Sequence, residues 1–461
     1  MKNAEKSAAD MYAEKLGFKD YMTFGFGDVA INFTFASLGM FVVYFYTDVA
    51  EIAAGIVGTL MLFSRAFDGV IDMVVGGLVD KTHSRWGKTR PWLLFGCLPF
   101  AILTVALFAV QPNWSTTTKV IYAFVSYNLL MVAFSSIAIP YGTLNSLVTR
   151  DQHQREKFNV FRMFEAQIGV LIVTNLTMPM VKAFGNKQSS WVATYAILSA
   201  VSVILLLIVF KTQKEHVQET KKVNIPLKQA LRAIAHNDLW WIATIFFIVY
   251  SIGYALNQGT TIYYAKYILH NSSYVGILTV AYLVPVLVCF LFITPILKKY
   301  GKTKSMIVGS IISIVGYLFT LIDPSSFTIV MLAQVIKGIG QAPLLGSVWA
   351  LFPDTIEYGE WKTHTRVESL LYSGGSLGQK VGVGLGTAIT GWVLAWGHYS
   401  ETTVAQPQSA ITAIYALFIY IPILIFIIQL IFLYFYKMDK VYPRVMADLR
   451  VRKNQATKKE Q

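Results

Sequence analysis

The sequence predicts an all-α membrane protein of twelve transmembrane helices, arranged as two pseudo-symmetric six-helix bundles. Of its 461 residues, 55% are hydrophobic and only 14% are charged, whereas an average soluble protein has roughly 25% charged residues. The apolar residues come in blocks, many of which reach the about 20 residues that cross a bilayer as a helix. A short basic sequence also occurs twice, about half a chain length apart. Together these observations indicate a polytopic membrane protein built from two halves.

Twelve apolar blocks are long enough to be spans. We assign them to residues 22–46, 53–79, 90–111, 117–147, 159–184, 190–211, 238–267, 273–297, 305–322, 327–353, 366–397 and 409–436. Of the 39 Lys and Arg residues, 31 lie in the connections on one side of this arrangement. Cytoplasmic connections carry the excess of Lys and Arg, so both termini are predicted to be cytoplasmic. The net charge of +14 is then a sign of topology, and its spread over seven loops argues against nucleic-acid binding.

The repeated sequence is RWGKTR at 85–90 and KYGKTK at 299–304, an offset of 214 residues. Repeated loops at equivalent positions of two six-helix halves are typical of transporters built by duplication. We therefore predict an N-terminal bundle over 1–210, a cytoplasmic linker over 211–237, a C-terminal bundle over 238–436 and a cytoplasmic tail over 437–461.

The first copy belongs to a longer segment, GGLVDKTHSRWGKTR at 76–90. It resembles the signature loop of the major facilitator superfamily, with four extra residues before Gly87. Gly76 is expected to allow close helix packing and Asp80 to pair with a cationic group, although basic loops are expected here from topology alone. Both GKT triplets lack the earlier glycine of a phosphate-binding loop, because those positions hold Thr82 and Ile296. ATP binding is therefore rejected, and any energy for transport must come from an ion gradient.

Two carboxylates lie inside the second span. Asp68 and Asp72 are four residues apart and share one helix face, with Arg65 one turn earlier. Two neighbouring carboxylates are costly in a low dielectric unless a proton, a bound Na⁺ or Li⁺, or a cationic side chain relieves them. We predict a cation site at this pair; the alternative is a buried Arg65–Asp68 salt bridge without a transport role.

The first and fifth spans carry further polar residues. Asp28 and Asn32 are four apart in the first span, and Arg162 and Glu165 are three apart in the fifth. Arg162 either pairs with Glu165 or donates a fork of hydrogen bonds to sugar hydroxyls or a carboxylate. We predict Asp28, Asn32 and Arg162 as substrate-binding residues, while an end-of-helix position is an alternative for Asp28.

The eleventh span has glycines every four residues, at 374, 378, 382 and 386, a pattern that favours close helix contact. Lys380 lies two residues from this stripe and is predicted to point into a cavity, as a substrate-binding residue. Lys337 in the tenth span is as consistent with packing or snorkelling as with function. Three aromatic residues are candidates for stacking on a sugar ring, although packing is the usual role of such residues: Tyr141, Trp349 and Tyr372.

No HExxH, GxSxG or paired CxxC motif occurs, so the sequence predicts neither an enzyme nor a resident cofactor. All seven histidines fall in loops or at helix ends, which makes a histidine proton relay unexpected.

Five segments carry a resemblance to a known family. They are GDVAINF at 27–33, YTDVA at 46–50, SRAFDGVIDMVVGGLVDKTHSRWGKTRPW at 64–92, IPYGTL at 139–144 and DTIEYGEWKTHTRVES at 354–369. With these motifs the chain resembles the glycoside–pentoside–hexuronide:cation symporter family, within the major facilitator superfamily. The resemblance implies secondary active uptake of a glycoside with Na⁺, Li⁺ or H⁺.

The resemblance also implies roles for individual residues. Asp68 and Asp72 look like the family's cation-site aspartates, which would be the Na⁺ ligands if Na⁺ is the coupling ion. Arg162 and Lys380 look like its charged residues in the sugar and cation region. Asp28 matches the GD form of glucuronide- and xyloside-type members, whereas counting back from YTD places Asn32 at the aspartate of melibiose-type members.

The chain departs from the melibiose-type pattern at Ala138, where those members have an aspartate before the IP of the fourth helix. Loss of this carboxylate leaves Arg162 and Lys380 less neutralised. The expected substrate is therefore a glucuronide or another acidic glycoside, with a neutral xyloside as the second candidate.

The 354–369 segment is predicted to be a cytoplasmic loop that gates the carrier. Its acidic residues Asp354 and Glu357 and its base Arg366 would pair with the 80–90 loop, which contributes Asp80 and Arg85. Surface ion pairs of this kind are individually weak, so a network would be needed.

Other functional classes remain open. A proton-driven exporter shares the fold, and a lipid carrier or a non-transporting sugar sensor is a further alternative. The expected setting is the plasma membrane with its lipids, and carriers of this kind usually work as monomers.

Overall fold

The computed structural model describes residues 16–149, 152–215, 232, 234–364, 368–400 and 405–460, and every element within these ranges is helical. In chain order the helices are α1 (Phe18–Met40), α2 (Ala54–Lys81), α3 (Arg90–Leu107), α4 (Thr116–Val148), α5 (Gln152–Ala183), α6 (Gln188–Thr212), α7 (Asp238–Tyr267), α8 (Tyr274–Tyr300), α9 (Lys302–Thr320), α10 (Phe327–Val348), α11 (Leu351–Thr363), α12 (Glu368–Trp396), α13 (Gln408–Tyr415), α14 (Ile421–Phe435) and α15 (Met438–Glu460). Short helical segments follow α1 (Val42–Tyr44, then the π-helix Phe45–Val49) and α13 (the π-helix Ala416–Tyr420).

The all-α membrane prediction is confirmed. Within the described ranges, nine helices are long and apolar enough to cross a membrane, or ten if one bent pair counts as a single span. The number twelve stays a prediction. The bent pair is the predicted first span: it turns by 52° between Phe18–Met40 and Val42–Val49 instead of running straight, and its second part includes a π-helical turn. Single π-helical turns inside α-helices are rare and often mark functional positions.

The chain divides into two compact units. The first comprises Met1–Lys221, Asn271–Gly276 and Gly391–Ala410, and the second comprises Lys222–His270, Ile277–Thr390 and Ile411–Gln461. In the first unit α1 packs on α5 and α6, α3 packs on α4 and α6, and α2 packs on α4. In the second unit α9 packs on α10 and α14, α7 packs on α14, and α11 packs on α7 and α15.

The glycine stripe of α12 makes the close contact predicted from its spacing. A Cβ atom added at Gly382 would lie 2.5 Å from the carbonyl oxygen of Ile248, and one at Gly386 would lie 2.6 Å from that of Ile252. Only a residue without a Cβ allows the α7 backbone to come this near. The expectation for Gly76 was wrong, because an added Cβ there meets nothing within 4 Å.

The two GKT loops share a backbone conformation. Gly87 has φ +103° and Gly301 has φ +86°, values that side-chain-bearing residues rarely adopt. Each glycine comes shortly before a helix, α3 beginning at Arg90 and α9 at Lys302. The sequence repeat is therefore a structural repeat as well.

The segment predicted as a loop at 354–369 is largely helical. Helix α11 continues to Thr363 and ends at His364, which adopts the left-handed conformation at φ +57°. The apolar side chains Leu351, Phe352 and Ile356 are buried, so one helix face belongs to the core of the second unit.

Candidate sugar and cation sites

Three of the predicted substrate residues are in contact: Asp28 and Arg162 form an ion pair, and Tyr141 bonds to Asp28. The Nε of Arg162 lies 2.6 Å from Oδ2 of Asp28, and its Nη2 lies 3.4 Å from Oδ1. The single hydroxyl proton of Tyr141 is shared between two acceptors, the carbonyl oxygen of Phe24 at 2.7 Å and the same Oδ2 of Asp28 at 2.9 Å. Helices α1, α4 and α5 of the first unit thus supply one half-buried polar cluster, which we call the Asp28 cluster.

Glycine allows this cluster to form. A Cβ atom at Gly27 would lie 2.3 Å from the ring of Tyr141, so the GD sequence leaves space for the tyrosine beside Asp28. Gly169 of α5 similarly allows that helix to approach α1, since its Cβ would lie 3.0 Å from the carbonyl oxygen of Val29. Close helix approach brings residues that are 134 positions apart, Asp28 and Arg162, into contact.

Tyr141 has a different environment from the one expected for a sugar-stacking residue. Its side chain is fully buried, and its ring lies 5.0 Å from that of Phe24 and 4.7 Å from the Cζ of Arg162. In this structure it orients Asp28 rather than offering an open ring face. Stacking on a sugar stays a prediction.

The remaining substrate candidates divide between the two units. Asn32 is half-buried in the first unit and donates from Nδ2 to the backbone oxygen of Asp28 at 2.8 Å. Lys380 is half-buried in the second unit. Trp349, in the same unit, packs edge-on against Phe247 at 4.8 Å. The side chain of Tyr372 lies outside the described part of the chain.

The predicted cation residues form a second cluster in the first unit. Ser135 of α4 donates from Oγ to Oδ1 of Asp72 at 2.5 Å, and the same atom is 3.5 Å from Oδ1 of Asp68. One hydroxyl thus lies between the two carboxylates. Nη1 of Arg65 lies 3.8 Å from Oδ2 of Asp68, so the ion pair considered from the sequence is present, at a distance longer than a hydrogen bond.

This second cluster, which we call the Asp68 cluster, is largely buried. Arg65, Asp68 and Ser135 are all buried, and Asp72 is half-buried. Carboxylate and hydroxyl oxygens are hard ligands of the kind that small hard cations prefer, and the same carboxylates accept a proton. Across the described residues, no group of three or more His, Cys, Asp or Glu is arranged to hold a metal. The cation site at Asp68 and Asp72 stays a prediction.

Sequence reasoning missed Ser135. Its signal was a hydroxyl residue inside an apolar helix, three positions before Ala138. Ser136 gave the same signal, yet its Oγ bonds to the carbonyl oxygen of Val132 on its own helix. Only the helix orientation separates the two serines.

The predicted gate residues that the structure describes contact side chains of their own unit. Asp80 pairs with Lys88 at 2.8 Å, and Asp354 pairs with Lys302 at 2.7 Å. The guanidinium of Arg85 lies 4.1 Å from the Trp86 ring. Arg366 lies outside the described residues. Each described pair belongs to a single unit, and the gate, including the role of Glu357, stays a prediction.

The comparison with known proteins decides the family. The family described as MFS/sugar transport protein matches residues 23–440 of the chain. The chain belongs to this family. The predicted resemblance and the major facilitator fold are thereby confirmed.

Other members of the MFS/sugar transport family match nearly end to end. An isoprimeverose transporter of Lactiplantibacillus pentosus is 32% identical over 454 residues, covering 97% of this chain and 94% of the relative. A putative glycoside/cation symporter of Escherichia coli (strain K12) is 29% identical over 439 residues, covering 92% of this chain and 93% of the relative. The crystal structure of a D-xylose-proton symporter superimposes with a TM-score of 0.62 at 13% identity, covering 89% and 96% of the two chains, which bears on the fold alone.

This MFS/sugar transport protein is therefore a multi-pass membrane transporter and not an enzyme. Cation-coupled sugar transport is the activity that its relatives support.

Proposed function

We propose that the protein takes up a glycoside together with Na⁺, Li⁺ or H⁺, by alternating access across the plasma membrane, with both termini in the cytoplasm. The observation that carries this proposal is the presence of two separate polar clusters within one apolar helix bundle. The two clusters differ in chemistry. The Asp28 cluster offers fixed donors and acceptors, and the Asp68 cluster offers paired carboxylates.

The Asp28 cluster binds the sugar. Hydroxyl groups both donate and accept hydrogen bonds, so they match a carboxylate and a guanidinium held side by side. Tyr141 holds the Asp28 carboxylate and reduces the ordering that sugar binding would otherwise require. Lys380, in the second unit, stays a predicted substrate-binding residue.

The Asp68 cluster binds the cation. Asp68 and Asp72 supply negative charge and Ser135 supplies a neutral oxygen. A cation here relieves the repulsion between the two carboxylates. Sugar and cation then each raise the other's affinity, since coupling between sites is reciprocal.

The contact between Asp28 and Arg162 changes the preferred substrate. The sequence favoured an acidic glycoside because Arg162 seemed under-neutralised without a carboxylate at Ala138. Asp28 supplies that neutralisation at 2.6 Å, so the pair carries no net charge. We therefore favour a neutral glycoside, isoprimeverose being the first candidate by similarity, and keep a glucuronide as the second because of Lys380.

Counterflow in proteoliposomes tests the substrate. Labelled isoprimeverose and a labelled aryl glucuronide are exchanged against their unlabelled forms, without any ion gradient. Exchange of isoprimeverose that Asp28→Asn abolishes supports the proposal. Exchange of the glucuronide alone would reinstate the acidic substrate, and exchange of neither would reject glycoside transport.

A further inference from the structure

Glu165 is a buried carboxyl group that neither cluster uses. Its side chain is only 6% exposed, and Oε2 has no hydrogen-bond partner among the described residues. The group lies flat against the backbone of α1, because a Cβ atom at Gly25 would fall 2.5 Å from Cδ of Glu165 and 2.8 Å from Oε2. A charged carboxylate without a donor in such a place is costly.

Glu165 lies beside the Asp28 cluster. Its carboxyl packs against Gly25 of α1, three residues before Asp28. Arg162 lies one turn earlier on the same face of α5, at the spacing that allows an ion pair. Its guanidinium is bound to Asp28 instead, and Tyr141 of α4 donates to Asp28 as well. Asp28 thus holds the guanidinium, which Glu165 could also reach by its spacing on the same helix.

We propose that Glu165 is a proton-binding site that controls which carboxylate holds Arg162, and thereby controls sugar affinity. With a proton on Glu165, Arg162 stays on Asp28 in the arrangement seen here. When the O–H bond of Glu165 breaks and the proton passes to water, the new carboxylate competes for Arg162 from one helical turn away. Transfer of the Arg162 guanidinium to Glu165 then removes the main hydrogen-bond donor that lies beside Asp28 in the proposed sugar site.

The sign of the linkage follows from this exchange. The protonated form has the intact Arg162–Asp28 pair, so protons favour sugar binding and the bound sugar favours the proton. Sugar affinity should fall as pH rises, with about one proton lost for each sugar released. This site differs from the Asp68 cluster, and it would act even if Na⁺ is the coupling ion. The consequence for sugar affinity rests on the proposed sugar site, whereas the protonation of Glu165 does not.

The first arm of the test measures binding. The Kd of isoprimeverose is measured by calorimetry from acid to alkaline pH for the full-length wild type, Glu165→Gln and the control Glu51→Gln. Glutamine is a neutral replacement of similar shape, so Glu165→Gln should bind as tightly as the acid form of the wild type at every pH. The Glu51→Gln variant should keep the wild-type pH dependence. A Glu165→Gln variant that keeps the wild-type pH dependence, or fails to bind at acid pH, would overturn the proposal.

The second arm needs no sugar. Infrared spectra of the reconstituted protein should show the C=O stretch of a protonated buried carboxyl in the wild type, lost in Glu165→Gln and titrating with pH. Absence of that band from the wild type, or its persistence in Glu165→Gln, would refute protonation of Glu165 directly. If the band behaves as expected and isoprimeverose does not bind the wild type at all, the substrate assignment fails while the proton site stands.

Discussion

The carboxylate of Glu215 binds Thr89 through both its backbone and its side chain, with Oε1 lying 2.7 Å from N and 2.7 Å from Oγ1. The backbone N–H groups of Lys88 and Arg90 donate to the same carboxylate. In the second unit, Asp439 accepts from the N–H of Thr303 at 3.0 Å. Glu215, just after α6, and Asp439, in the first turn of α15, thus each fill the anion cradle of a GKT loop. The N–H groups that a phosphate would need are already used by a side chain.

The first prediction concerns this contact. Glu215→Gln should lower the free energy of unfolding by about 2 kcal/mol, because a charged acceptor of several hydrogen bonds is lost. Thermal unfolding in detergent measures the effect. Asp439→Asn is the matched change. It should destabilise less, because among the described residues Asp439 accepts a hydrogen bond from one backbone N–H, that of Thr303. Equal stability of wild type and Glu215→Gln would show that the carboxylate is replaceable by water.

The second prediction uses two glycines of the same segment. Gly87→Ala should destabilise the protein by about 1 kcal/mol or more, since φ +103° is strained for alanine. Its Cβ would also fall 2.5 Å from Cδ of Glu215. Gly76→Ala should leave the melting temperature unchanged or raise it, because open space surrounds that position. If both variants melted alike, the loop conformation would not contribute to stability.

The third prediction concerns Arg162. Lysine keeps the charge but cannot reproduce the two contacts of the guanidinium with Asp28. Arg162→Lys should therefore weaken isoprimeverose binding about tenfold or more, equivalent to about 1.4 kcal/mol. Calorimetry at acid pH measures it, with Arg444→Lys on an exposed position of α15 as the control. Unchanged affinity in Arg162→Lys would remove the guanidinium from the sugar site.

The fourth prediction separates two adjacent serines. Ser135→Ala removes the hydroxyl between the two aspartates and should raise the Kd for the coupling cation about tenfold. Ser136→Ala removes a hydroxyl that only bonds to its own helix, so it should have no effect. Sugar affinity as a function of cation concentration reports both. Similar losses in the two variants would mean that the hydroxyl is not a cation ligand.

The sequence predicted the helical membrane fold and the duplication because these depend on local patterns. Apolar length defines a span, and the two GKT loops recur at a constant offset. Spacing likewise predicted that the glycines of α12 face another helix. The expectation for Gly76 came from the signature-loop motif and was wrong, because the sequence alone does not distinguish a glycine beside open space from one in a tight contact.

The partners of individual charges could not be predicted, because they depend on how helices are rotated. Arg162 had a local candidate three residues away in Glu165, yet it binds Asp28 on another helix. Among the described residues, this long-range choice leaves Oε2 of Glu165 without a hydrogen-bond partner, and it reverses the argument for an acidic substrate. The charges of the 354–369 segment predict a loop, whereas its buried apolar residues have helical spacing and form the inner face of α11.

The coupling mechanism has its most direct test in accumulation driven by an ion gradient. Proteoliposomes of the wild type, Asp68→Asn and Asp72→Asn receive an imposed Na⁺ gradient or an imposed pH gradient, and uptake of labelled isoprimeverose is followed. We expect one gradient to drive accumulation in the wild type. Both variants should lose accumulation while keeping sugar counterflow, because each loses one carboxylate of the Asp68 cluster and keeps the Asp28 cluster. Accumulation by either variant, or none by the wild type under both gradients, would contradict a cation site at Asp68 and Asp72.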